Sequence, residues 1–187
     1  MIALQDNSPA VVSPGIYPML YAFFDDRGVL RQDPFRRQVD AALGTQAAGV
    51  AILGLGTEVS KLTFDERVEV LEVVAKRIDG CKPLLVTVYG DTITEQIEFS
   101  KRAIQSGVSA LMLQPPSQKM DDAKLAGFFS EIISAVDCPV GIQNAPEFLG
   151  FGLSNQSLIA LANDHENFTI AKLECNAVNL ESVASEL

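Results

Sequence analysis

Six short apolar runs recur along this chain, most trailed by a stretch whose apolar residues repeat at helical spacing. That alternation narrows the fold more than any other feature. The runs cover residues 16–22, 49–53, 83–88, 108–113, 139–143 and 168–172. They are continuous rather than alternating in polarity, as expected of parallel strands covered by helices on both faces. Segments 48–53 and 106–112 repeat one design, a helix ended by glycine followed by entry into a buried strand. Roughly 30 residues per strand-helix step fits βαβ units, and six such steps mean a parallel sheet, either a barrel or a doubly wound sheet. Periodicity does not choose between the two. No G-x-G-x-x-G or G-x-x-x-x-G-K-[ST] occurs, so nucleotide-binding doubly wound folds lose support.

Local signals place the helices. Thr63-Phe-Asp-Glu66 and Thr92-Ile-Thr-Glu95 match the capping box, in which a hydroxyl and a glutamate satisfy each other's orphan N–H groups. The first helix spans about 33–47 with Pro34 at a tolerated early position, after a turn at Asp25-Asp-Arg-Gly28. Val70, Val73 and Val74 form an apolar stripe after Thr63. A helix over 122–136 should bury Phe128, Phe129, Ile132, Ile133 and Val136, and a short one should span 154–162.

Composition bounds the function. At 187 residues and 48% hydrophobic, the chain can build one sizeable core. A net charge of −10 argues against nucleic acid or an anionic membrane as partner, and an anionic substrate would need local donors. Cys81, Cys138 and Cys175 are scattered and odd in number, which fits a reduced intracellular protein. His165, the only histidine, lies in a polar run expected to be a surface loop, so a histidine metal site or a Ser-His-Asp triad is disfavoured. Residues 1–14 read as a flexible arm without the features of a signal peptide, and no run reaches the roughly 18 apolar residues of a membrane span. A cytoplasmic protein without metal or organic cofactor is the expectation.

The candidate chemistry lies where the runs end, because parallel α/β folds put their sites at the carboxyl ends of strands. Lys172 closes the last run, where burial would disfavour its ammonium and yield a usable amine nucleophile; the plainer role is a lysine snorkelling to solvent. Glu174 points the same way two residues on, free to pair with Lys172 or to reach solvent. Gly54-Leu-Gly-Thr-Glu58 can offer backbone N–H groups to a carboxylate, or be a plain glycine turn. In Gln143-Asn-Ala-Pro146 an amide pair can orient a carbonyl or hydroxyl, although Asn144 better suits an Asx-type bond to its own loop.

Those three stretches, with Gly150, fall in the order and spacing of the dihydrodipicolinate synthase/N-acetylneuraminate lyase family, which the chain resembles from Gly15 onward. The resemblance implies a (β/α)8 TIM barrel, of which about six β-α units are present in residues 15–187. It also implies a class I aldolase or lyase that acts on a pyruvate-like 2-oxo acid, and a family tetramer as the default homo-oligomer. Residue by residue, it implies Lys172 as the Schiff-base lysine and the backbone and hydroxyl around Gly56 and Thr57 as the carboxylate site. The departures are specific. The family's G-T-T-G-E loop reads Gly-Leu-Gly-Thr-Glu, and the tyrosine of Y-N-x-P is Gln143. The strand-four loop carries Pro116-Ser117 where the synthase has a tyrosine pair, and Phe148 matches the synthase arginine. These argue against dihydrodipicolinate synthase itself.

An amide cannot shuttle protons as a phenol can, and such help is typically worth about 10²–10⁴-fold. Proton transfer then falls to Tyr21, Tyr89, Glu174 or water, with Gln143 orienting substrate. The length is short of the roughly 250 residues of a whole barrel, which reads as a C-terminally truncated chain with open strand edges. Two alternatives to a lyase follow: a non-catalytic homologue that binds a small carboxylate, and an inactive fragment that assembles with a longer relative.

Overall fold

The protein is described by a computed structural model covering residues 2–3 and 12–186. Strands β2 (Val50–Ile52), β3 (Leu84–Val88), β4 (Ala110–Leu113), β5 (Val140–Asn144) and β6 (Phe168–Leu173) are each preceded by a helix. Those helices are α1 (Gln32–Leu43), α2 (Phe64–Ile78), α3 (Ile93–Gln105), α4 (Asp122–Ser134) and α6 (Asn155–Asp164). The short α5 (Pro146–Leu149) follows β5, and α7 (Ala177–Glu186) follows β6. A two-residue strand, β1, spans Ile2–Ala3. Of the arm expected over 1–14, residues 1 and 4–11 lie outside the described residues, while Ile2 and Ala3 pair antiparallel with Ala171 and Ile170.

The chain divides into two compact units. One holds Ala10–Val88 and Phe99–Leu111, the other Met1–Pro9, Tyr89–Glu98 and Met112–Leu187. In the β2–β3 unit the ladder runs β2-β3-β4, with Val50 opposite Leu84. In the β5–β6 unit it runs β4-β5-β6-β1, with Gln143 opposite Lys172. Every residue of β2 through β5 is buried, which accounts for their unbroken apolar runs.

The strand expected over 16–22 is realised as an extended segment with a single parallel bridge, Met19 to Ala51. Ala51 N–H donates to Pro18 O at 3.0 Å and Leu20 N–H to Ala51 O at 2.9 Å. Pro18 lacks an N–H, so the ladder cannot be regular there. Helix α2 opens with the full capping box at Thr63 and Glu66. Its buried face is Arg67, Val70, Leu71, Val74 and Ile78, so Leu71 takes the place expected for Val73, which is half-buried. In α4 the expected Phe128, Phe129, Ile132 and Ile133 are buried.

Gly49 enters β2 where an added Cβ would lie 2.6 Å from Pro83 O and 2.2 Å from the Tyr17 ring. A backbone oxygen cannot swing aside, so Gly49→Ala is expected to cost about 1–3 kcal/mol of overpacking, read as a lowered urea midpoint.

Asp122 joins α4 to α6, accepting from Ser154 N–H and from the Ser154 and Ser157 hydroxyls, all at 2.8 Å. Burial pushes the Asp122 carboxyl up, but those hydrogen bonds outweigh it and hold the group below its ordinary value. A depressed folded value contributes stability that is present above the unfolded pKa of about 3.9 and is lost as pH falls through the folded one. Asp122→Asn should therefore cost about 1–2 kcal/mol at pH 7. The gap from wild type should narrow below about pH 4, measured by urea melts at both pH values.

Candidate active site

Strand β6 carries the candidate lysine, Lys172. Burial is near complete through Ala171 and opens at Lys172 and Leu173, so the strand delivers a lysine from a dry core to its own mouth. Lys172 is not an isolated dry amine. Its side chain retains 27% exposure and its Nζ is ion-paired to Glu174 Oε1. The same Glu174 oxygen accepts from Gln143 Nε2 at 2.7 Å. One carboxylate oxygen thus ties together the end of β5, the end of β6 and the residue beyond it. Gln143 has no exposed surface, and its Oε1 has no hydrogen-bond partner among the described residues.

The scaffold around this knot is built from backbone mimicry. Asn144, 8% exposed, donates from Nδ2 to Leu153 O and accepts from Leu153 N–H, both at 2.9 Å. Its role is loop fixation, as expected, but its partner lies nine residues on instead of within its own turn. Glu174 N–H donates to Asn144 O at 3.0 Å, fixing the backbone that carries the carboxylate. Glu147 on α5 accepts from the N–H and Nδ2 of Asn176 at 3.1 and 3.0 Å, tethering the chain that leaves β6. Asn144→Ala would strand both polar groups of Leu153 in a buried place, at a cost of about 1–3 kcal/mol. The expected result is a lower melting temperature together with faster amide exchange across 145–153.

The 54–58 loop belongs to the β2–β3 unit and forms a 3₁₀ turn, Leu55–Thr57. Leu53 and Glu58 flank it at φ 61° and 57°, a left-handed backbone that costs side-chain-bearing residues about 1–3 kcal/mol and concentrates at functional loops. The Thr57 hydroxyl is buried and donates to Leu20 O at 2.6 Å, so its proton is already committed. Thr57 N–H and Glu58 N–H close the turn onto Gly54 O and Leu55 O, and Gly54 N–H faces Met19 Sδ. The Leu55 and Gly56 N–H groups take no part in those bonds. In the same unit the Tyr21 ring, in a residue 57% exposed, stands beside Gly56. Tyr21 is clamped through its backbone by Gln38, which accepts from its N–H at 2.8 Å and donates to its C=O at 3.0 Å. Tyr89 follows β3, half-buried.

His165 lies in the short loop between α6 and β6, as expected, but is half-buried, its Nε2 2.8 Å from the Ser130 hydroxyl. It precedes β6, at the opposite end of that strand from Lys172. None of the three cysteines forms a disulfide. Phe148 is 72% exposed on α5. The sequence reading missed Gln114, 3% exposed at the end of β4, whose Oε1 has no partner among the described residues. Its signal was the one that marked Gln143, a glutamine closing an apolar run.

Five parallel strands alternating with helices, with a lysine at the mouth of the sixth strand position, define an α/β protein of the TIM-barrel type. The chain belongs to the dihydrodipicolinate synthetase family, whose model matches residues 13–182. It is 27% identical over 161 residues to the 4-hydroxy-tetrahydrodipicolinate synthase of Pelobacter propionicus, covering 86% of this chain and 55% of that protein. Among solved structures it superposes on YagE of E. coli K12, a prophage protein of this family in complex with pyruvate. The TM-score is 0.86 at 26% identity, over 92% of this chain and 58% of YagE. The dihydrodipicolinate synthase of Aquifex aeolicus shares the fold, with TM-score 0.87 at 21% identity over 92% of this chain and 59% of that one. The chain thus spans a little over half the length of each. Among the described residues, no helix is long and apolar enough to cross a membrane.

Proposed function

We propose that this chain carries the Schiff-base lysine of a lyase or aldolase acting on a small, pyruvate-like 2-oxo acid, with Lys172 as the amine. The observation that carries the reading is the Lys172–Glu174–Gln143 knot at the end of β6. YagE in complex with pyruvate, a relative of the same fold, supports the substrate class. Taken by itself, the 54–58 loop offers an anion its Leu55 and Gly56 N–H groups more than the Thr57 hydroxyl, whose proton is spent on Leu20 O.

The chemistry balances on one carboxylate. Glu174 takes a proton from the Lys172 ammonium, and the free amine attacks the ketone carbon. The carbinolamine expels its oxygen as water, using the proton returned by Glu174, and leaves a cationic iminium on Nζ. Glu174 then removes a proton from the neighbouring carbon, giving a neutral enamine. Carbon–carbon cleavage and its reverse pass through that same enamine. Glu174 is preferred over Tyr21 and Tyr89 as the proton carrier because it is bonded directly to Nζ. Gln143, unable to exchange a proton at physiological pH, holds the carboxylate in place. The test is borohydride trapping with pyruvate followed by peptide mass analysis, in which Lys172 should carry the adduct. The amide at position 143 also fits a non-catalytic carboxylate binder, for which pyruvate would bind without any trapped adduct.

A further inference from the structure

Two buried glutamine carbonyls lie in a row beside the lysine, at the ends of the next strand, β5, and of the one after it, β4. Gly141 lies opposite Ile170 in the β5–β6 ladder, and an added Cβ there would be 2.7 Å from Met112 Cε and 3.0 Å from Ile170 Cβ. Met112, Gly141 and Ile170 therefore form one layer on one face. Side chains two residues further along an extended strand return to that face, which makes Gln114, Gln143 and Lys172 the next layer. Gln143 is opposite Lys172 in register. Gln114 is held by its backbone, whose C=O accepts from Gln96 Nε2 at 3.0 Å. Gln114 Oε1 and Gln143 Oε1 are both buried, and neither has a hydrogen-bond partner among the described residues. An unmet buried acceptor costs about 1–3 kcal/mol, and two in one layer beside a reactive amine call for incoming donors.

We infer that Gln114 and Gln143 form a paired acceptor that reads hydroxyl groups on the carbon chain next to the substrate ketone, so that the preferred 2-oxo acid is a hydroxylated one. Carbonyl oxygens accept and do not donate, so the pair favours an O–H over a methyl group of the same size. A hydrophobic pocket would make the opposite choice. This rests on Lys172 forming the Schiff base.

Hydroxypyruvate and 2-oxobutyrate test it, since they differ only by hydroxyl against methyl at one carbon and neither can undergo retro-aldol cleavage. The half-saturating concentration for borohydride trapping at Lys172 is expected to be roughly 10-fold lower for hydroxypyruvate, matching one hydrogen bond regained. Gln114→Met and Gln143→Met, similar in volume and without a carbonyl, should each shrink that ratio toward one. Gln114→Met should also melt no lower than wild type, because it removes an unmet acceptor; it keeps the test open if Gln143→Met, which loses the Glu174 bond, fails to fold. A wild-type ratio near one, with the carbonyls met by water alone, overturns the inference, as does a ratio that survives both substitutions. Pyruvate trapped without any preference removes only this inference; pyruvate that leaves Lys172 unlabelled removes the Schiff-base reading and this inference with it.

Discussion

Borohydride added in the presence of pyruvate is expected to place one reduced adduct on Lys172, and Lys172→Arg is expected to abolish it. The guanidinium keeps the positive charge and a partner for Glu174 but cannot expel water to form an iminium, so the substitution separates charge from chemistry. A second readout needs no knowledge of the full substrate. Conversion of pyruvate to an enamine exchanges its methyl protons with D₂O, which proton NMR follows directly. In the arginine variant that exchange should fall to the rate of free pyruvate, a loss of roughly 10⁶-fold or more if the acceleration is of ordinary enzymatic size. Exchange that persists in Lys172→Arg would place the chemistry on another group.

The second large effect concerns Glu174. Its Oε1 accepts from both Lys172 Nζ and Gln143 Nε2, so Glu174→Gln preserves shape while removing the group that can take and return a proton. Methyl exchange should drop by about 10²–10⁴-fold, the usual worth of a positioned acid–base group. Trapping by saturating pyruvate should persist at a slower rate, because water can carry the protons of iminium formation. Unchanged exchange would transfer the proton-carrying role to Tyr21, Tyr89 or solvent. The split between exchange and trapping distinguishes Glu174 from a residue that merely holds the loop, since a structural loss would lower both together.

Much of the architecture was legible because its signals are local. Strands β2 to β5 were read as continuous apolar runs, and their full burial is the reason that pattern exists. The capping box at Thr63 involves only four residues and so could be read directly. Where a neighbour decides, the reading slipped. Val73 and Leu71 are both apolar and lie about half a turn apart around α2, and only packing selects Leu71 for the core. Pro18 interrupts the first strand because it has no N–H to continue the ladder beyond the two bonds made to Ala51, leaving a single bridge in its place. The family matched by residues 13–182 was itself visible in three short motifs. Gln143 and Thr57 stood out there as departures from the pattern that the chain resembles, but their partners, Glu174 and Leu20, could not be read from it.

The alternation of strands and helices, a lysine at the end of the sixth run and a glutamine closing the fifth are all written along the chain. They depend on hydrophobic periodicity and residue identity, which need no partner. What folding alone decided is who touches whom. Glu174 could equally have faced water; the register of β5 on β6 turned it onto Lys172 and Gln143. Thr57 could have offered its hydroxyl to a ligand; the close approach of Leu20 O claimed that proton first. A hydrogen bond falls off steeply with distance and angle, and distances between residues far apart in sequence exist only once the chain has closed on itself.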